Sequence, residues 1–214
     1  MKISKGMKEQ GIPVGNYYDK YNTRNPLARR IMKNFDRNLS ELVSLAAPRT
    51  LHEVGCGEGV WVLKWCAEGI LARGSDFSEQ VIELARNNAR TREVGDELFE
   101  AKSIYELSPE ADSADLVVCC EVLEHLTQPA AALVALQKLD AEHYIFSVPR
   151  EPLWCGLNML RGKYLKSLGN TPGHINHWSQ LTFISLVSSY FEIVEVRSPT
   201  PWTMLLCRKL LDEG

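Results

Sequence analysis

The 214-residue chain lacks any apolar run approaching the roughly 18 residues that a bilayer-spanning helix needs, so no membrane span is expected. The opening MKISKGMKEQGIPVG lacks the apolar stretch of a secretory signal. No charge of one sign dominates: 24 Lys and Arg stand against 27 Asp and Glu, giving a net charge of -3 and a pI near 6.0. A nucleic-acid partner is normally announced by a basic footprint, and none is expected here. The six cysteines (Cys56, Cys66, Cys119, Cys120, Cys155, Cys207) form no CxxC pair, and LVVCCEV and TMLLCRK set theirs in apolar runs. That usage fits reduced, buried thiols in a cytoplasmic protein and not a disulfide framework. Internal repeats and low-complexity tracts are also absent, which leaves the length of one domain with a sizeable core.

What is present is a changing hydrophobic period. Residues 1–14 are polar and read as a mobile arm. Leu27, Ile31, Phe35, Leu39, Leu42 and Val43 then recur at helical spacing, behind Asn25 as N-cap and Pro26 at the first helical position. TLHEVGC reads as a strand and GVWVLKWCAEG as a helix closed by Gly69. LARGSDF, LFEAKSI, ADLVVCCEV and HYIFSVP read as further strands, alternating with the helices SEQVIELARNNAR, capped by Ser78, and PAAALVALQKL. The segment 150–178 shows no clear period. A helix capped by Ser179 follows, then the strands FEIVEVRS and WTMLLCRK, joined by a connection short enough for antiparallel pairing. The expected organisation is an arm and helix (1–48), a ligand-binding core (49–149), a lid insertion (150–178), and a final helix with a strand pair (179–214). Alternating strands and helices imply an α/β fold with a mostly parallel sheet.

In such sheets the ligand sits at the carboxyl ends of the strands. HEVGCGEG, residues 52–59, falls there, between the first core strand and its helix. Glycines at Gly55 and Gly57 allow positive φ and remove Cβ atoms that would block a ligand. Asp76 ends the next strand, where a carboxylate accepts hydrogen bonds from both ribose hydroxyls of a nucleotide. A dinucleotide, a nucleotide-bearing sulfonium and a ligand-free turn remain open. A pyrophosphate turn of the form GxGxxG is disfavoured, because Val60 stands at its last position and the acid Glu53 precedes the first glycine.

LHEVGCGEG, GSDFSEQVIELARNN and DLVVCCEVLEHL together resemble the successive motifs of the class I S-adenosylmethionine-dependent methyltransferases, from about Thr50 to Pro149. The likeness is to the small-molecule branch that includes the ubiquinone-biosynthesis O-methyltransferases, whose Asn-Pro-Leu-Arg element NPLARR resembles with one residue inserted. The resemblance implies a Rossmann-like seven-stranded sheet with helices on both faces and a reversed last strand. It also implies S-adenosylmethionine as cofactor, S-adenosylhomocysteine as product, and a small-molecule substrate methylated on oxygen or nitrogen. Carried over by position, Gly55, Cys56, Gly57 and Gly59 would shape the methionine pocket and Glu53 would orient the loop. Asp76 would bind the ribose and Phe77 pack on adenine, with Ser103 and Ile104 at the adenine edge. Ser103 departs from the pattern, which commonly has Asp there. Glu121 would offer its backbone carbonyl to the ammonium, Arg29 would meet the carboxylate, and Tyr21, in YYDKY, would close over the cofactor.

Methyl transfer to a hydroxyl needs an aligned acceptor and a base, and histidine is tuned for that near neutral pH. His125, His174 and His177 lie on the expected face. His174 and His177, with no acid or thiol close in sequence, do not read as a metal site, so no metal is expected. Trp154, Trp178 and Trp202 are candidate walls for an apolar or aromatic substrate. The absence of an Asn/Asp-Pro-Pro-Tyr run after the fourth core strand argues against methylation of a nucleic-acid base amine. The alternatives are a non-catalytic protein that keeps the cofactor fold, or a methyltransferase acting on protein or RNA. Either a monomer or a homodimer is compatible with the sequence.

Overall fold

The structure is a computed structural model that describes residues 1–4, 6–9, 12–15, 23, 25–160, 162 and 164–210. A short antiparallel pair, β1 (Lys8–Glu9) and β2 (Ile12–Pro13), precedes α1 (Pro26–Ala46). There follow β3 (Thr50–Val54), α2 (Val60–Ala67), β4 (Leu71–Asp76), α3 (Glu79–Arg90), β5 (Phe99–Ala101), α4 (Pro109–Asp112), β6 (Leu116–Cys120), α5 (Pro129–Gln137) and β7 (His143–Pro149). The last third holds α6 (Leu153–Leu160), α7 (Gln180–Ser188), β8 (Phe191–Arg197) and β9 (Trp202–Lys209). Seven strands form one sheet in the order β5-β4-β3-β6-β7-β9-β8. Every neighbouring pair is parallel except those made by β9, which runs against both β7 and β8. The reversed last strand expected from the short PTP connection is therefore present.

The sheet separates two cores. Leu116, Val118 and Cys120 face Phe35, Leu39, Val62, Trp65 and Ile82. Val117 and Cys119, at the intervening positions, face Leu133, Leu136, Phe183 and Val187 on the opposite side. Burial on both faces explains why β6 reads as an unbroken apolar run and not as alternation, and all seven residues of β7 are buried as well. Among the polar residues buried on the sheet is His52 on β3: its Nδ1 pairs with the Asp112 carbonyl at 2.8 Å and its Nε2 with Ser75 Oγ at 2.9 Å. Burial pushes the imidazole down to about 4. The unfolded chain binds a proton there that the folded one excludes, so this contribution is complete above pH 6.5 and is lost as pH falls toward 4. It amounts to about 3 kcal/mol by proton linkage. Urea unfolding at pH 7 and 4.5 should show His52→Gln losing less stability on acidification than the parent chain; equal losses would remove His52 from the acid response.

The helix starts follow the sequence. Asn25 Oδ1 accepts from the amides of Leu27 and Ala28, Ser78 Oγ from Val81, and Ser179 Oγ from Thr182. α1 has 21 residues, about 32 Å of helix, and leads directly into β3, whose five residues extend about 17 Å. Its C-terminal end meets the start of the strand, so its first turns overhang the carboxyl edge of the sheet, and Leu27 there is 59% exposed.

Three expectations change. The described arm residues are tied down: the amide of Ser4 donates to Glu58 Oε1 at 3.0 Å, and Asn88 exchanges hydrogen bonds with both backbone groups of Lys2. Sequence did not show this because Glu58 and Asn88 are distant in the chain. The third core strand is shorter than LFEAKSI, because Ser103 caps a 3-10 turn at Ile104–Glu106 instead of continuing the ladder. The insertion is ordered around α6. Asn158 Nδ2 donates to the Gly169 carbonyl at 2.9 Å, and Gly169 sits at φ +81, where a Cβ would lie 2.1 Å from the Cys155 carbonyl.

Candidate functional site

β3, β4, β5 and β6 are parallel neighbours, so their carboxyl ends lie along one edge of the sheet. After β3 the chain turns through Gly55, Gly57 and Gly59, at φ +79, +54 and +76. The amides of Gly55 and Cys56 both donate to the Ser75 carbonyl, which pins the turn to β4. The three glycines have different jobs. A Cβ on Gly55 would lie 2.2 Å from Val122 Cγ2, and one on Gly59 2.5 Å from the Phe99 ring, whereas one on Gly57 meets no atom within 4 Å. Gly55 and Gly59 therefore serve packing, and the open space faces Gly57. Cys56 is buried in the core, where a Cβ on Gly74 would strike its sulfur, and its Sγ donates to the Gly57 carbonyl at 3.7 Å.

Asp76 lies beside Gly57. Its Oδ2 accepts from the Gly57 amide and its Oδ1 from the Ser78 amide, both at 3.1 Å. Burial pushes its carboxyl up to about 6, against the pull of those two amides, and the nearby Glu58 and Glu9 add to the rise. Phe77 follows with 47% of its surface exposed, a ring available for stacking. Glu53 is buried at the end of β3. Ser103 Oγ is engaged in its cap, accepting from Tyr105, and Ile104 is buried in the core beneath β5. The Ser103 hydroxyl is thus occupied by its own cap. Arg29 is exposed on the overhanging first turn of α1. Tyr21 and Tyr17 lie outside the described residues.

Glu121, just after β6, has φ +61, a left-handed conformation that costs a non-glycine residue about 1–2 kcal/mol. Its carboxylate accepts from Trp202 Nε1 at 2.6 Å and Ser147 Oγ at 3.1 Å. Sequence reasoning assigned it only a backbone role; 81 residues separate it from Trp202, and no local signal joins them. Trp202 continues an aromatic chain: Trp61 stacks on Phe35, Phe35 meets Trp202, Trp202 meets Trp154, and Trp154 stacks on His174, with successive centroids 4.8–5.9 Å apart. Trp178 instead packs on Phe183 and the rear core.

The three histidines separate into a pair and a single one. His125 and His174 meet edge to face with centroids 4.8 Å apart. His125 Nδ1 lies 2.9 Å from the Gly173 carbonyl. A carbonyl only accepts, so Nδ1 carries a proton, and Nε2 lies 3.9 Å from Glu124 Oε1. Burial pushes His174 down to about 3, aided by its two histidine neighbours. The insertion is bound to this corner by the amides of Ile175 and Asn176, which donate to the Glu124 carbonyl, and by Asn176 Nδ2, which donates to Leu126 at 2.6 Å. His177 stands apart, its Nδ1 3.4 Å from Glu151 Oε1. Folding brings to the late histidines the acids and thiol that their own stretch of sequence lacks. Glu124, His125 and His174 bring ligand atoms within 4.8 Å of one another, and so do Glu151, Cys155 and His177.

Sheet order, reversed strand and glycine turn make this the fold of the class I S-adenosylmethionine-dependent methyltransferases, and residues 52–139 match the family described as methyltransferase domain. Among curated proteins, the ubiquinone biosynthesis O-methyltransferase of Neisseria meningitidis serogroup A is 36% identical over 89 residues, covering 41% of this chain and 37% of that protein. The enzyme of the same name from Acinetobacter baylyi is 32% identical over 112 residues, covering 50% and 47%. The match thus spans less than half the length of either relative. Of solved structures, magnesium protoporphyrin IX methyltransferase from Synechocystis PCC 6803, with bound SAH, superposes with a TM-score of 0.67 over 91% of both chains at 19% identity.

Proposed function

We propose that the protein binds S-adenosylmethionine and transfers its methyl group to a hydroxyl oxygen of a small molecule held beneath the insertion. The observation that carries this reading is the open space at Gly57 beside Asp76, whose carboxylate is already aligned by two backbone amides. A cradle that a Cβ would fill, next to an acceptor for ribose hydroxyls, fits the sulfonium nucleotide. When bound, that cofactor supplies the electrophilic methyl group.

The residues of the chain bind, align and deprotonate. Asp76 holds the ribose, Phe77 stacks on the base and Glu53 orients the glycine turn. Glu121, fixed by Trp202 and Ser147, borders the space between cofactor and acceptor. Trp154 and Trp202 wall the acceptor side, and the anchored insertion keeps water from it. His125 takes the acceptor's proton on Nε2. His174 is too weak a base for that task and serves as the neutral, buried partner of the His125 ring.

Calorimetry with S-adenosylmethionine and with NAD tests the reading: binding of the first and not the second is expected, and the reverse result would sink it. For the base, His125→Gln keeps a side-chain donor for Gly173 but no imidazole. It should lower turnover by about 100-fold or more with cofactor affinity within a few-fold of the parent. Unchanged turnover would remove His125 from proton transfer.

A further inference from the structure

Glu151, Cys155 and His177 lie at the two ends of the insertion, the first two near its start and His177 near its close. Glu151 precedes α6 and Cys155 falls in its first turn, one helical repeat later, so both project to one side. The Cys155 amide donates to Glu151 Oε2 at 3.1 Å, which fixes the carboxylate. The amide of Glu151 in turn donates to the Trp178 carbonyl at 2.8 Å, beside a parallel bridge between Arg150 and Trp178. His177 is thereby delivered to Glu151 by backbone pairing. Glu151 Oε1 lies 3.1 Å from Cys155 Sγ and 3.4 Å from His177 Nδ1, and all three ligand atoms fall within 4.8 Å of one another.

We propose that Glu151, Cys155 and His177 form a zinc site that staples the two ends of the insertion together. Bond lengths of about 2.0–2.3 Å in a tetrahedron place neighbouring ligand atoms about 3.3–3.7 Å apart, close to the spacings already present. A thiolate and an imidazole beside one carboxylate select a borderline-soft dication over magnesium or calcium, which take oxygen ligands. The fourth position opens on a groove lined by Ser167, Leu168 and Asn170, where water completes the coordination. His177 retains 38% side-chain exposure, which gives the ion a path of entry. Binding is balanced by one proton: the sulfur–hydrogen bond of Cys155 gives way to a sulfur–zinc bond and the proton passes to solvent. Ligands at positions 151 and 177 close a long loop, so the ion adds its binding energy to the ordering of the insertion.

Cobalt(II) replaces zinc as a spectroscopic probe on the full, reduced chain. One equivalent should give tetrahedral d–d bands and a thiolate-to-cobalt charge-transfer band, both displaced by zinc. Cys155→Ser should remove the charge-transfer band, while Cys66→Ser, at a half-buried thiol elsewhere, keeps it. His177→Ala should weaken zinc binding by at least about tenfold. Circular dichroism of the metal-free variants separates ligand loss from unfolding. If Cys155→Ser does not fold, His177→Ala decides. The site is overturned if no cobalt binds, if the charge-transfer band survives in Cys155→Ser, or if His177→Ala leaves zinc affinity unchanged. Binding without a thiolate band also overturns it, since that assigns the ion to the nitrogen and oxygen atoms of Glu124, His125 and His174. None of these readouts involves methyl transfer, so the result is independent of the function proposed above.

Discussion

Replacing Asp76 by alanine is expected to weaken S-adenosylmethionine binding by about 100-fold or more while the chain still folds. Two ribose hydroxyls donating to one carboxylate make charge-assisted hydrogen bonds of about 1.5–3 kcal/mol each, so losing both costs roughly 3–6 kcal/mol. The fold loses less. The Gly57 and Ser78 amides lose an acceptor, but at neutral pH the Asp76 carboxylate, pushed up to about 6 by burial, carries its charge at a desolvation cost that its removal relieves. The sign follows from that raised value. Asp76 contributes most to stability below the ordinary carboxylate range, and that contribution is lost as pH rises through 6, so neutral pH is where its removal is best tolerated. The same titration predicts that cofactor affinity in the parent chain declines as pH falls below about 6, where the free carboxyl takes a proton. Asp76→Asn should bind weakly at every pH. Calorimetry at pH 5.5 and 7.5, with thermal unfolding in parallel, checks both statements. An Asp76→Ala affinity within threefold of the parent would remove Asp76 from the ribose.

Alanine at Gly57 and at Gly59 should have opposite consequences, although both sit in one turn. At Gly59 the added methyl would lie 2.5 Å from the Phe99 ring, at φ +76. Phe99 is 2% exposed and cannot move aside, so overpacking of about 1–3 kcal/mol adds to about 1–2 kcal/mol of left-handed strain. A loss of that size consumes much of a typical domain's stability. At Gly57 the methyl enters open space and only the strain is felt, but that space is where the cofactor would lie. Gly57→Ala should therefore unfold within a few degrees of the parent and bind S-adenosylmethionine at least about tenfold more weakly, whereas Gly59→Ala should unfold far earlier. Thermal melts with and without cofactor separate the two. A Gly57→Ala chain that binds normally would show that the space beside Gly57 is not the cofactor's.

The elements that could be read from sequence are those whose cause is local. Asn25, Ser78 and Ser179 cap the helices they precede. The near-continuous apolar run of β6 reported burial on both faces, and the PTP connection left β9 no route but an antiparallel one. The glycine turn and Asp76 are separated by one βα unit, so spacing alone placed them side by side. Sequence did not separate the duties of Gly55, Gly57 and Gly59, because their differences lie in Val122 and Phe99 across the sheet. It also left the insertion without a period, since α6 is held by Asn158, which donates to the Gly169 carbonyl and to Thr171 Oγ1, and not by a stripe of its own.

The order of strands and helices, the glycine turn and the acid beside it were thus determined by the sequence itself, through capping, hydrophobic period and glycine spacing, which act over a few residues. Tertiary structure alone decided which histidines meet, that Glu121 is held by Trp202, that the arm docks on Glu58 and Asn88, and that Cys155 and His177 share Glu151. Each of those contacts joins side chains brought together by the closing of the sheet and the folding back of the insertion. Their energies depend on distance and burial, quantities that have no value until the chain is packed.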